Sequence, residues 1–236
     1  MGFRRQVFPS YSPEPGEIPK MLSGIGFRLA AEPRWDTNIE DGLYLASVEG
    51  MDNDDLRVLS VLVTWLDVHA PRVNADRLVR LSSASSSVRV RAFWAAVGRW
   101  KAKVSRFVRL RRLHEHPRIP LLAVGSAFHL RQSGEDIRFV GGPLLVPDGV
   151  LRVRPSDVLS PEELARHHRA YRWRLLVGPT YRADMLALLE EDPLQTASKV
   201  ARRSYGSFAT AHAAKHDWAT VQSAMATCPR SGRGLA

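Results

Sequence analysis

The chain has 236 residues, and 34 Lys and Arg against 24 Asp and Glu give it a formal net charge of +10. An apolar fraction of 44% with 25% charged residues excludes wholesale disorder. The basic excess favours a polyanionic partner, nucleic acid before an acidic protein or a membrane surface. The only cysteine, Cys228, excludes an internal disulfide framework and a Cys-based zinc site. No apolar run is long enough to span a bilayer, and Pro9, Pro13 and Pro15 stand where a signal peptide would need an apolar stretch, so the cytoplasm is the expected compartment.

Residues 1–22 read as a flexible, proline-rich tail. Residues 23–118 read as a helical region with segregated charge. Glu32 to Asp67 is acidic, whereas Arg89 to Arg118 is basic with Glu115 its one acid. Leu56, Leu59, Val63 and Leu66 recur at helical spacing, predicting a helix from Asp54 to about His69 that Pro71 ends. Asn74 is a good N-cap for a short helix to about Leu81, and Ser82–Ser87 reads as a turn. A third helix, Ser87–Lys101, carries Phe93, Trp94, Val97 and Trp100 on one face, with a basic helical continuation toward His114. Long, short, long is a helix-turn-helix layout, here with a basic third helix.

Residues 119–158 predict a small antiparallel β element, with strands at Leu121–Arg131, Asp136–Gly141 and Val150–Arg154 and a turn at Ser133-Gly134. Residues 159–224 return to helix. Ser160-Pro161-Glu162-Glu163 is a capping box with proline at the first helical position, and its helix is expected to reach Arg172. After Gly178-Pro179 come helices at Tyr181–Glu190, Thr196–Tyr205 and Ser207–Val221. Residues 225–236 read as a frayed tail without a strand pattern, so a wing after the last helix is not expected.

The last three helices again read as a helix-turn-helix. Ala197, Val200 and Ala201 give the short helix a tightly packing face. Gly206 is expected to supply a positive φ in the turn. Ser207 caps the third helix, whose core stripe is Phe208, Ala211, Ala214, Trp218 and Val221. Thr210, His212 and His216 lie off that stripe and can face bases, while Lys199, Arg202 and Arg203 can hold phosphates. Arg89, Arg91, Arg99, Lys101, Arg109, Arg111 and Arg112 are further candidate phosphate contacts. The fold class expected is therefore mainly α with a small antiparallel β element and two helix-turn-helix-like or winged-helix-like units.

Gly178-Pro179-Thr180-Tyr181-Arg182-Ala183-Asp184-Met185, leading into Ala201-Arg202-Arg203-Ser204-Tyr205-Gly206-Ser207-Phe208, resembles winged-helix regulators of bacterial operons. It is similar in particular to the antitoxin-like proteins encoded beside AbiE-type nucleotidyltransferase toxins. The resemblance covers about the C-terminal quarter. It implies binding of double-stranded DNA at the operon's own promoter and autorepression; a homodimer would suit a palindromic site, and a cognate toxin is a candidate acidic partner for the basic block.

Other chemistries find less support. Gly125-Ser126 followed by Glu135-Asp136 has the outline of a nucleotidyltransferase site, but Arg138 stands where the second alternate carboxylate is needed for magnesium. Glu163 and His167 lie one helical turn apart without a third metal ligand. No catalytic residue, metal or cofactor is expected. Two rival readings are a protein-interaction module whose basic block docks an acidic partner, and an RNA-binding protein in which Trp94 or Trp100 stacks on bases rather than anchoring the core.

Overall fold

Side-chain caps start most of the helices. The computed structural model describes residues 7–9, 13–14 and 16–227, so Cys228 and the rest of the expected C-terminal tail lie outside the described residues. Helix α1 (Ile18–Gly24) is followed by α2 (Ile39–Met51), α3 (Leu56–His69), α4 (Ala75–Ala84) and α5 (Val88–Trp100). Asn38, Asp55, Asn74 and Ser87 each accept a backbone N–H of the first turn of α2, α3, α4 and α5. Helices α3, α4 and α5 match the predicted ones, except that α4 runs on to Ala84 through residues expected to turn.

Two helices near the N-terminus were not anticipated. The expected tail includes the start of α1, which buries Met21 and Leu22. Helix α2 lies within the acidic stretch and buries Ile39, Leu43 and Ala46 together with Glu40 and Asp41. It packs on α5, where Trp94 Nε1 donates to Ser47 Oγ at 3.0 Å. On another side of α5 lies a 3-10 helix, Ser105–Leu113, where the basic helical continuation toward His114 is expected. Every residue from Ala92 to Gly98 is consequently buried.

The expected antiparallel strands are not formed. Among the described residues the named sheet is one parallel pair, β1 (Ile119–Pro120) with β2 (Leu144–Leu145), in the register Ile119↔Leu144. Leu121 is buried, but the chain then turns through Gly125 (φ 79°) into α6 (Ser126–Ser133), on which Phe128 is exposed. This crossover brings the chain back in the same direction, which makes the pair parallel. Asp136–Gly141 forms turns, with Arg138 Nε donating to Asp136 Oδ1 at 2.9 Å. Val150–Arg154 is irregular, and its Arg154 N–H is satisfied by Thr64 Oγ1 rather than by a strand partner.

Helix α7 (Pro161–His167) has both halves of the capping box. It stops five residues before Arg172 because His168 turns away and caps α8 (Arg169–Val177). Helices α9 (Tyr181–Glu191), α10 (Ala197–Arg203) and α11 (Phe208–Thr227) complete the chain. One apolar core draws on residues from Leu22 to Tyr171. A second, smaller core joins Met185 and Leu189 of α9, Val200 and Ala201 of α10, and Ala211 and Ala214 of α11. No helix among the described residues is long and apolar enough to cross a membrane.

Candidate nucleic-acid interface

Residues 204–207 join α10 to α11. Small side chains let these helices close on α9, and Gly206 is the closest approach. A Cβ there would lie 2.1 Å from Met185 Cε and 3.4 Å from Tyr181 Cβ. The expected positive φ belongs to Tyr205 (φ 57°) instead. That conformation is costly for a bulky residue, and two contacts hold it. Tyr205 Oη donates to Asp41 Oδ2 at 2.7 Å, and the Arg77 guanidinium sits 3.5 Å from the ring centroid.

Ser207 Oγ accepts the Thr210 N–H at 3.1 Å and is 2.6 Å from Thr210 Oγ1, which places two hydroxyls at the start of α11. Ala211 and Ala214 face the small core, whereas Ala209, His212, Ala213 and His216 are exposed, one outward stripe at helical spacing. Phe208 and Val221, expected in the core stripe, are each 50% exposed. They fall outside the core because α9 and α10 cover α11 only around Ala211, Ala214 and the half-buried Trp218.

The two arginines closing α10 differ. Arg203 donates to Gln195 Oε1 at 2.9 Å and to Glu191 Oε2 at 3.0 Å, so it ties α10 to α9. Arg202 and Lys199 are exposed and unpaired among the described residues. Lys215 is turned back on the Gln195 carbonyl at 2.6 Å.

This three-helix unit is locked to the main core through a buried ionic seam. Arg174 of α8, fully buried, forks to Glu40 at 2.7 and 2.8 Å and to Asp184 of α9 at 2.8 and 2.9 Å. Glu40 Oε1 also accepts the Asn74 N–H at 2.7 Å. Arg77 pairs with Asp41 at 2.5 Å. Three buried carboxyls therefore face two guanidinia. Burial raises the Asp184 carboxyl to about 6 against the pull of Arg174, and burial raises Asp41 against Arg77. Burial alone would lower Arg174, but Asp184 and Glu40 more than reverse this, so it stays charged. His168 Nδ1 accepts the Tyr171 N–H, so Nε2 carries the proton and donates to Thr37 O at 2.9 Å. Burial lowers this imidazole to about 4 and keeps it neutral.

No family model, curated protein or solved structure matches this chain.

Among the described residues no hydrogen bond or ion pair joins the upstream basic residues to the α10–α11 cations, and several are already paired. Arg89 meets Asp54 at 2.8 Å, Lys101 meets Asp67 at 2.5 Å, and Arg109 meets Asp76. Arg91 donates to the Ser85 carbonyl and Arg111 to that of Gly98. Acidic residues from the first third of the chain thus neutralise part of the basic block. Arg99 and Arg112 remain exposed. Helix α5, expected to be a second recognition helix, is enclosed, which leaves its middle no face to lay in a groove. Trp94 is fully buried and cannot stack on a base; Trp100 is half-buried beneath Lys101 Nζ, 3.8 Å from its ring.

The residues set aside for metal have other partners. Glu163 pairs with Arg28 at 2.6 Å, and His167 stacks on Trp35 with centroids 4.7 Å apart. No group of three His, Cys, Asp or Glu converges among the described residues. Sequence reasoning missed Arg77, Arg174, Asp184 and Tyr205 as the parts that orient the unit. The seam joins residues 134 positions apart, a separation with no local sequence signal.

Proposed function

We propose that this protein binds duplex DNA through α10 and α11 as a helix-turn-helix, and that it regulates transcription in the cytoplasm. The observation that carries the reading is the α10–turn–α11 unit. Its first turn presents two hydroxyls, its outer stripe carries His212 and His216, and Lys199 and Arg202 flank it without partners among the described residues. A helix enters the major groove with its N-terminal residues toward the bases while flanking cations neutralise phosphates. Thr210, His212 and His216 are assigned to base edges, and Lys199, Arg202 and the α11 amides at Ser207 to the backbone. Arg203 is assigned a structural role.

The resemblance to antitoxin-like operon regulators narrows the site to the promoter of the protein's own operon, with autorepression as the outcome. A cognate toxin and a second copy of the chain are the protein partners that this role would bring. The role itself calls for no catalytic group. Of the two tryptophans offered for stacking on RNA bases, Trp94 is enclosed and Trp100 is half-buried.

The test is a titration of the full chain against duplex DNA from upstream of its own gene and against a scrambled duplex, at several salt concentrations. Tighter binding to the upstream duplex, weakening as salt rises, supports the reading. Equal weak binding to both duplexes overturns a specific regulator and turns attention to an acidic protein partner.

A further inference from the structure

We propose that the 3-10 helix Ser105–Leu113 carries a second phosphate-binding element, a row of three arginines that tracks the backbone of the same duplex beside α11. This inference rests on the DNA-binding reading above but concerns a different surface. Val104, Phe107, Leu110 and Leu113 recur with a period of three; Phe107 and Leu110 are fully buried, and Val104 and Leu113 pack against the same core. In an α-helix such a stripe would drift away from the core, whereas three residues per turn keep it in line. The sequence thus matches the 3-10 geometry it adopts, over a run unusually long for that helix type.

The same period aligns Arg106, Arg109 and Arg112. All three are exposed, on an edge that excludes the buried stripe. With a rise of ~2.0 Å per residue their Cα atoms stand ~6 Å apart, a spacing suited to successive phosphates along a nucleic-acid strand. Arg106 and Arg112 have no hydrogen-bond or ion-pair partner among the described residues. Arg109 pairs with Asp76, but both side chains are 57% exposed. A surface pair of that kind contributes little and yields readily to a phosphate.

The row is held firmly. Its segment lies directly on α5 at Gly98, where a Cβ would come within 2.9 Å of Leu110 Cβ and 3.0 Å of Phe107 O. Arg106 and Arg109 line a groove together with Asp76 and with Pro179, Thr180 and Tyr181 at the start of α9. Tyr181 Cβ in turn is 3.4 Å from the position a Gly206 Cβ would take, one residue before the α11 cap. The Arg80 guanidinium lies 5.7 Å from the Tyr181 ring, a further cation near the groove. A merely solvated basic face does not require the single-edge alignment, and the shared groove sets Arg106 and Arg109 beside the start of α9, the helix on which α10 and α11 pack.

The experiment measures log Kobs against log[salt] for the upstream duplex with three proteins: the full chain, Arg106→Gln/Arg109→Gln/Arg112→Gln, and Lys199→Gln/Arg202→Gln. Each phosphate neutralised contributes ~0.9 to the slope. The row variant is expected to lose about 2–3 from the slope while keeping its preference for the upstream over the scrambled duplex. An unchanged slope in the row variant, with binding lost in the α10 variant, overturns this inference and leaves the DNA-binding unit standing. A reduced slope in the row variant with no effect of the α10 variant does the reverse. Absence of DNA binding by the unmodified chain overturns both. Unchanged circular dichroism and thermal midpoint in the row variant identify a slope change as lost contact rather than lost folding.

Discussion

Replacing Arg174 with Met removes the guanidinium that both Glu40 and Asp184 share. The two carboxylates stay in place, 0% and 7% exposed, without their bidentate partner. Breaking a buried ion pair by removing one member typically costs about 3–5 kcal/mol. With two carboxylates stranded, the upper part of that range is expected at neutral pH. Met fills much of the volume, so the loss reports charge more than cavity. The assay is urea unfolding followed by fluorescence of the six tryptophans, comparing midpoints at constant m. The loss should shrink at acid pH, where the Asp184 carboxyl, raised by burial, takes up a proton. Asp184→Asn should cost less than Arg174→Met, since Asp184 is already pushed toward its neutral form. A loss below about 1 kcal/mol, the range of a surface pair, or one that is the same at acid and neutral pH, would refute the reasoning.

His168 provides a pH-linked test. Its folded value near 4 lies below the ordinary 6.5, so its contribution is present above 6.5 and is lost as pH falls toward 4. The stability difference between the full chain and His168→Asn should therefore shrink by up to about 3 kcal/mol between neutral pH and pH 4. Asp184 and Asp41 are raised and act in the opposite sense, so the difference from the variant is the quantity to follow, by denaturant midpoints across pH. Gly98→Ala should lift the 3-10 helix from α5 and cost about 1–3 kcal/mol by overpacking, with a lower thermal midpoint as the readout. Gly206→Ala should cost less, because the displaced atom is the mobile end of Met185.

What was legible in the sequence was mostly local. Asn74, Ser87 and Ser160 announce helix starts through their own hydrogen bonds to the next turn, and the structure has those helices. Helix α2 was hidden because Glu40 and Asp41 face inward, so the usual contrast of apolar and charged faces is blurred. Residues 121–131 carry enough apolar residues to read as a strand, yet Val124 and Phe128 are exposed; a short apolar run does not reveal which side will be covered. The segment after α5 is more instructive. The expected helical continuation is there, but its period of three, at Phe107, Leu110 and Leu113, makes it a 3-10 helix separate from α5. At the candidate interface, exposed Lys199 and Arg202 are as the pattern suggests, while Arg203 is withdrawn by Glu191 and Gln195. Gly206 was picked out correctly as special but for the wrong reason: it makes room for Met185, and Tyr205 takes the left-handed backbone with support from Asp41 and Arg77, more than a hundred residues away.

The central claim is that α10 and the first turns of α11 meet duplex DNA. Backbone amide NMR of the full chain, titrated with its upstream duplex and then with the scrambled one, tests this residue by residue. The prediction is shift changes at Lys199, Arg202 and Ser207 through His216 that are larger with the upstream duplex, with the enclosed residues of α5 unaffected. Changes concentrated elsewhere, or identical with both duplexes, would contradict it.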